Sequence, residues 1–174
     1  KVEGLVAAYG DEVILDRVSF EVMRGEIFVI LGGSGCGKST LLKHMIGLHT
    51  PAAGRILIHG RNLALAGEAE RRAMLRAIGV TYQSGALFGS LTLLENVMLP
   101  LEELTDLPPD AAAALGRQKL GLVGLADFCQ HLPCAVSGGM QKRAALARAM
   151  ALDPDILFLD EPSAGLDPVT SAEL

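Results

Sequence analysis

The stretch "GGSGCGKST" places Gly32, Gly37, Lys38 and Ser39 at the spacing G-x-x-x-x-G-K-[ST]. Glycine-rich backbone turns successive N–H groups toward one anion, a helix start behind it adds about half a positive charge, and the lysine reaches the outer phosphates of a nucleotide. The hydroxyl that follows suits Mg²⁺. The residues expected to bind are Gly32, Gly33, Ser34, Gly35, Cys36, Gly37, Lys38, Ser39 and Thr40. Far downstream, "ILFLDEP" ends an apolar run on Asp160 and Glu161. Two adjacent carboxylates at such a rim resist joint ionisation without a cation, and Mg²⁺ supplies one. Asp160 would then hold the metal through water, with Glu161 placed as general base to polarise an attacking water. Between these two sites, "VSGGMQKR" offers a second glycine-rich helix start, with Ser137 in the cap position before Gly138 and Gly139. Its N–H groups and dipole suit a second anion contact.

These groups need a scaffold of strands and helices. "VEGLVAAYG" and "RVSFEVMRGE" alternate as strands do, and "EIFVILGG" reads as a short, fully buried strand leading into the phosphate loop. "LLKHMIGL" is the helix after the loop, "GRILIHG" a strand, "AERRAMLRAIG" an amphipathic helix and "IGVTYQ" another strand. From Ser84 the strand pattern stops: "TLLENVMLPLEEL", "PPDAAAALGRQKLGLVGL" and "GGMQKRAALARAMAL" read as helices. "DILFLDEP" then restores a buried strand, so a parallel sheet resumes after a helical insert. The expected fold class is α/β: a P-loop NTPase core with an N-terminal antiparallel β region and an inserted helical subdomain. Residues 1–83 with 153–174 would form the core, and 84–152 the subdomain, of a single domain.

At 174 residues and 50% hydrophobic content, the chain can bury one sizeable, mainly aliphatic core. A net charge of -5 argues against nucleic acid as a partner bound through a general basic field. No apolar run approaches the roughly 18 residues of a membrane span. Cys36, Cys129 and Cys134 form no CxxC pair, and their odd number fits a reducing compartment, read as the cytoplasm. The chain opens on Lys1 and stops at "SAEL", mid-helix by pattern, which reads as a fragment of a longer polypeptide.

With these pieces in order, the sequence resembles an ATP-binding cassette (ABC) ATPase over essentially its whole length. Tyr9 lies where the family stacks an aromatic on adenine, and Gln83 sits at a strand end like the Q-loop glutamine, which touches metal and water. "VSGGMQKR" is similar to the signature motif, and "SAGLD", ending on Asp167, to the D-loop. The resemblance implies ATP and Mg²⁺ as ligands, with Lys38, Gln83 and Glu161 in the reaction and Ser39, Gln83 and Asp160 at the metal. It also implies a head-to-tail dimer, most simply a homodimer, in which Ser137, Gly138 and Gly139 of one cassette close on the nucleotide held by the other.

The family usually has glutamine after the second signature glycine, whereas Met140 stands there and Gln141 follows. That departure, with "YQSGALFGSLTLLENVMLPL", resembles the cassettes of Mla-type lipid-trafficking systems. Such cassettes pair with a membrane permease and an MCE-domain lipid-binding protein, which implies a peripheral position on the cytoplasmic face of the inner membrane. Ala86, Leu87, Phe88, Leu91, Leu93, Leu94, Val97, Met98 and Leu99 serve either as core or, where exposed, as a groove for a permease helix. Two other readings stand beside the transport motor: a soluble cassette of DNA repair or translation, and a nucleotide-binding module without turnover. The family's γ-phosphate histidine lies beyond the D-loop, but His44, His49, His59 and His131 all precede "DILFLDEP". These 174 residues alone are therefore expected to bind ATP with little turnover.

Overall fold

The computed structural model describes residues 1–10, 12–162 and 164, so Asp167 and most of "SAGLD" lie outside the described residues. The chain divides into two compact units, residues 1–75 and 76–174.

The first unit is built on a four-stranded antiparallel sheet in the order β2-β1-β3-β4. Its strands are β1 (Val2–Tyr9), β2 (Glu12–Phe20), β3 (Ala53–Ile58) and the short β4 (Arg61–Asn62). Register is set by pairs such as Val2 with Phe20 and Val2 with Ile56. Leu5, Ala7, Ile56 and Ile58 are buried, as expected of one face of alternating strands. The helix after the phosphate loop, α1 (Lys38–Met45), buries Leu41, Leu42 and Met45, the i, i+1 and i+4 positions of one apolar stripe. The amphipathic helix α2 (Glu68–Arg76) buries Met74, and its Arg71 donates to the Gly47 carbonyl at 2.6 Å.

One element departs from expectation. The run "EIFVILGG" is not a buried strand: residues 26–33 adopt no regular structure, and Ile27 and Leu31 are 92% and 88% exposed. Composition gives strand propensity, but a strand exists only where neighbours pair its N–H and C=O groups. Among the described residues no strand pairs with it, and the one ring contact it makes is Phe28 stacked on Phe20, centroids 5.0 Å apart.

In the second unit, β5 (Ile78–Thr81) and β6 (Ile156–Leu159) pair in parallel, Ile78 with Ile156 through Thr81 with Leu159. The sheet does resume across the helical stretch. β6 is half-exposed rather than buried, with Leu157 and Leu159 partly in solvent. Three helices cover the intervening sequence: α3 (Leu93–Leu104), α4 (Pro109–Leu122) and α5 (Gly138–Ala149). Their core contains Leu93, Val97, Leu101, Leu120, Leu125, Ala144 and Ala147. Each fully buried leucine contributes about 1.5–3 kcal/mol of transfer free energy, offset in part by ordering entropy. The alanines on α5 let it approach closely. A Cβ at Gly79 of β5 would lie 2.1 Å from the Ala149 carbonyl oxygen, so helix and strand touch backbone to backbone there.

Candidate active site

The phosphate loop enters α1 through Gly37, whose φ of 96° lies in the left-handed region. A side chain there would be strained and would also meet Leu15 Cδ2 at 2.8 Å. No side chain caps α1, and no acidic residue stands in its first turn. The first turn thus offers the positive end of the helix dipole no carboxylate of its own. Lys38 folds back over the loop, its Nζ donating to the carbonyls of Gly32 and Gly33 at 2.9 Å each. These bonds hold the ammonium at the mouth of the loop. Gly33 is open: a Cβ there would meet nothing within 4 Å. Ser34, Gly35 and Cys36 form the turn of the loop, and Ser39 and Thr40 open the helix. The Thr40 carbonyl lies 2.8 Å from His44 Nδ1.

Tyr9 stands at the end of β1, half-exposed, with its ring edge-on to His49 at a centroid distance of 6.0 Å. Half of the side chain's surface is therefore in solvent.

In the second unit, the parallel register brings the exits of β5 and β6 to the same edge of the sheet. The Asp160 N–H continues the ladder by donating to the Thr81 carbonyl at 3.1 Å. Two residues past β5, Gln83 Nε2 donates to Glu161 Oε2 at 2.9 Å. The expected glutamine and the expected base are thus hydrogen-bonded to each other across 78 residues of sequence. Glu161 has φ 47°, a left-handed conformation that a non-glycine residue adopts at a cost of about 1–3 kcal/mol. Asp160 and Arg148 both act electrostatically on Tyr82, whose phenol is pushed up chiefly by burial.

The second glycine-rich helix start is finished differently. Ser137 Oγ accepts from Met140 N at 3.3 Å, a conventional N-cap. Gly138 is exposed, its φ is unexceptional, and an added Cβ would touch nothing within 4 Å. Among the described residues, neither backbone strain nor packing requires glycine at 138. Met140 packs against the helical core. Gln141 does not take its place at the helix start, because its Nε2 donates backwards to the carbonyls of Pro133 and Val136 at 2.9 and 3.3 Å.

Of the apolar residues after Gln83, Leu93, Leu94 and Val97 are buried in the helical core and Leu87 and Met98 pack against it, whereas Phe88 is 58% exposed. Sequence reasoning missed what holds that loop. Asn96 is fully buried on α3; its Oδ1 accepts from Phe88 N at 2.8 Å, and its Nδ2 donates to the carbonyls of Phe88, Leu91 and Thr92 at 3.0–3.1 Å. Arg148 of α5 donates to the carbonyls of Gly85 and Ala86. The signal for Asn96 is a lone amide inside an apolar helical stripe, which must find partners when buried; nothing local marks Arg148.

The ABC transporter family model matches residues 15–164. The chain is a member of the ABC transporter family. It is 43% identical, over its whole length, to a probable ribonucleotide transport ATP-binding protein, mkl, of Mycobacterium leprae, and spans 50% of that relative. It is 41% identical over 98% of its length to the intermembrane phospholipid transport system ATP-binding protein MlaF of Haemophilus influenzae, spanning 64% of it. Among solved structures it is similar to the dimeric bacterial ABC transporter cassette MJ0796, at 32% identity and a TM-score of 0.89, covering 99% of this chain and 78% of that one. The same cassette bound to ADP and Pi matches with a TM-score of 0.88, at 31% identity and the same coverage of both chains. The α/β P-loop NTPase fold of ABC cassettes is therefore the fold of this chain.

Proposed function

We propose that this chain is the nucleotide-hydrolysing part of an ABC transporter motor, binding Mg-ATP at its phosphate loop and contacting a second nucleotide, in a partner cassette, through its signature helix. The observation that carries the reading is the Gln83–Glu161 hydrogen bond at the carboxyl edge of a parallel strand pair, in a chain that also holds an uncapped phosphate-loop helix. Tyr9 would stack on the adenine. The Ser39 hydroxyl, the Gln83 amide oxygen and the Asp160 carboxylate are hard donors of the kind Mg²⁺ takes, and the ion would neutralise charge developing on the transferred phosphoryl group. Glu161 would polarise the attacking water, and Asp167 would contact the nucleotide. Residues 1–83 with 153–174 would form the nucleotide-binding core, and 84–152 the helical subdomain.

The partners are a second cassette, a transmembrane permease contacting the loop after Gln83 and, in the lipid-trafficking reading, an MCE-domain protein. These place the motor on the cytoplasmic face of the inner membrane. Among the described residues no helix is long and apolar enough to cross a membrane. The relatives carry two substrate names, phospholipid and ribonucleotide. Met140 and the segment 82–101 favour lipid. Phospholipid transfer between vesicles by the reconstituted full-length transporter, stimulated by ATP and unaffected by free ribonucleotides, is the expected result; ATP-driven ribonucleotide uptake with no lipid transfer would overturn the substrate. Ser137→Arg should leave nucleotide affinity intact and abolish ATP-driven dimerisation; equal loss of both would overturn the trans arrangement.

A further inference from the structure

The loop from Tyr82 to Thr92 rests on the face of α5. Gly85 and Ala86 both sit at positive φ, 75° and 47°, so the chain reverses there and turns two successive carbonyl oxygens the same way. Arg148, in the last turn of α5, meets them: Nη2 donates to the Gly85 carbonyl at 2.8 Å and Nη1 to the Ala86 carbonyl at 2.9 Å, with Nη1 also 3.5 Å from Asn96 Oδ1. A turn earlier on the same helix, Ala145 Cβ would lie 3.4 Å from a Cβ at Gly85, and the Gln141 carbonyl 3.6 Å away. Residues 141, 145 and 148 are spaced i, i+4, i+7, so the loop lies along one stripe of α5.

Among the described residues, none of the groups Arg148 bonds is a carboxylate. Its charge is largely desolvated, which lowers the guanidinium pKa, and is stabilised by carbonyl dipoles instead. For a half-buried cation held by carbonyls and no carboxylate, the bonds are weak evidence of added stability and leave the geometry they fix as the thing to test. Two residues before the clamped turn stands Gln83, bonded to Glu161.

We propose that Arg148 is a positioning residue for hydrolysis, holding Gln83 in register with Glu161 by clamping the Gly85–Ala86 turn to α5. The same helix carries Ser137 and Gly138 at its other end. Twelve residues at about 1.5 Å each make a rod of about 18 Å. One rigid element therefore joins the signature contact to the Gln83 loop.

This inference rests on the assignment of Gln83 to the reaction, and the experiment separates the two. ATP affinity, Mg²⁺ dependence and steady-state hydrolysis are measured for the full-length protein and for Arg148→Met, Arg148→Lys and Gln83→Ala. Arg148→Met should lower kcat by about 10²-fold, the scale of a roughly 1 Å misplacement. KM for ATP should stay within about two-fold, because the nucleotide is held elsewhere, and the Mg²⁺ concentration for half-maximal rate should rise. Arg148→Lys, which keeps a cation facing two carbonyls, should recover a substantial part of kcat. If Arg148→Met does not fold, Arg148→Lys carries the test alone, with reduced kcat, unchanged KM and a shifted Mg²⁺ dependence expected. Full activity in a folded Arg148 variant beside a slow Gln83→Ala overturns the clamp and spares Gln83. Full activity of Gln83→Ala overturns the underlying assignment, and parallel loss of ATP binding and rate in Arg148→Lys reduces the residue to a structural one.

Discussion

Two helices of this chain begin at glycine-rich turns, and they begin in opposite ways. α1 starts from a left-handed Gly37, with no capping side chain and a lysine folded over the loop carbonyls. α5 starts from Ser137, whose hydroxyl caps the helix, and its Gly138 is required by nothing among the described residues. The first is an unfinished helix end that an anion would complete. The second is already stable and presents a bare backbone surface outward. A third start gives the scale for plain structure: α3 is closed by a full capping box, with Thr92 N donating to Glu95 Oε2 at 2.7 Å and Glu95 N donating to Thr92 Oγ1 at 3.2 Å. Glycine at a helix start thus has two separate readings here, and what fills the space beside it tells them apart.

The largest effect should come from locking both starts onto nucleotide. In the full-length protein, Glu161→Gln removes the base but leaves both helix ends intact, so hydrolysis should fall by about 10²–10⁴ while ATP binding persists and a dimer accumulates. Hydrolysis at the parent rate would remove Glu161 from that role. Next comes Lys38→Ala, which strips the ammonium from the α1 loop; with charge-assisted bonds worth about 1.5–3 kcal/mol, ATP affinity should drop about 10- to 100-fold by calorimetry.

The sharpest contrast is a pair of identical substitutions. Gly37→Ala forces a side chain into left-handed backbone against Leu15 and should destabilise the protein by about 1–3 kcal/mol in denaturant titration. Gly138→Ala should be neutral or slightly stabilising in the same titration, yet should impair ATP-driven dimerisation. A stability loss at 138 as large as that at 37 would mean the signature glycine serves its own fold after all. Smallest is the benchmark: Thr92→Ala should lower Tm by a few degrees with no change in nucleotide affinity. Its effect should depend on pH in one direction. The Thr92 N–H and hydroxyl hold the Glu95 carboxyl below the ordinary glutamate range. The carboxylate half of the box is therefore fully present above the unfolded pKa of about 4.3 and is lost as pH falls through the folded value. The difference between parent and variant should shrink in acid without vanishing, because Glu95 N still donates to the Thr92 hydroxyl when the carboxyl is protonated.

The sequence by itself determined the phosphate loop, its helix, the acidic pair and the helices of the 84–152 stretch. Each rests on local rules: glycine spacing, a 3.6-residue apolar period, a cap residue. It also determined that strands return at "DILFLD", because an apolar run beside turn residues needs no knowledge of its neighbours. Only the tertiary structure decided what depends on distant partners. The run at 26–33 has every local mark of a buried strand and is none here, since strand pairing is not a property of the run. Gln141 looks in sequence like a displaced signature glutamine, but its amide is committed to Pro133 and Val136. The Gln83–Glu161 bond, the left-handed Glu161 and the Arg148 clamp join residues 62 or more positions apart, or set a backbone angle from outside. No spacing rule reaches that far, because the free energy that fixes such contacts comes from buried surface and desolvated charge, which exist only once the chain has packed.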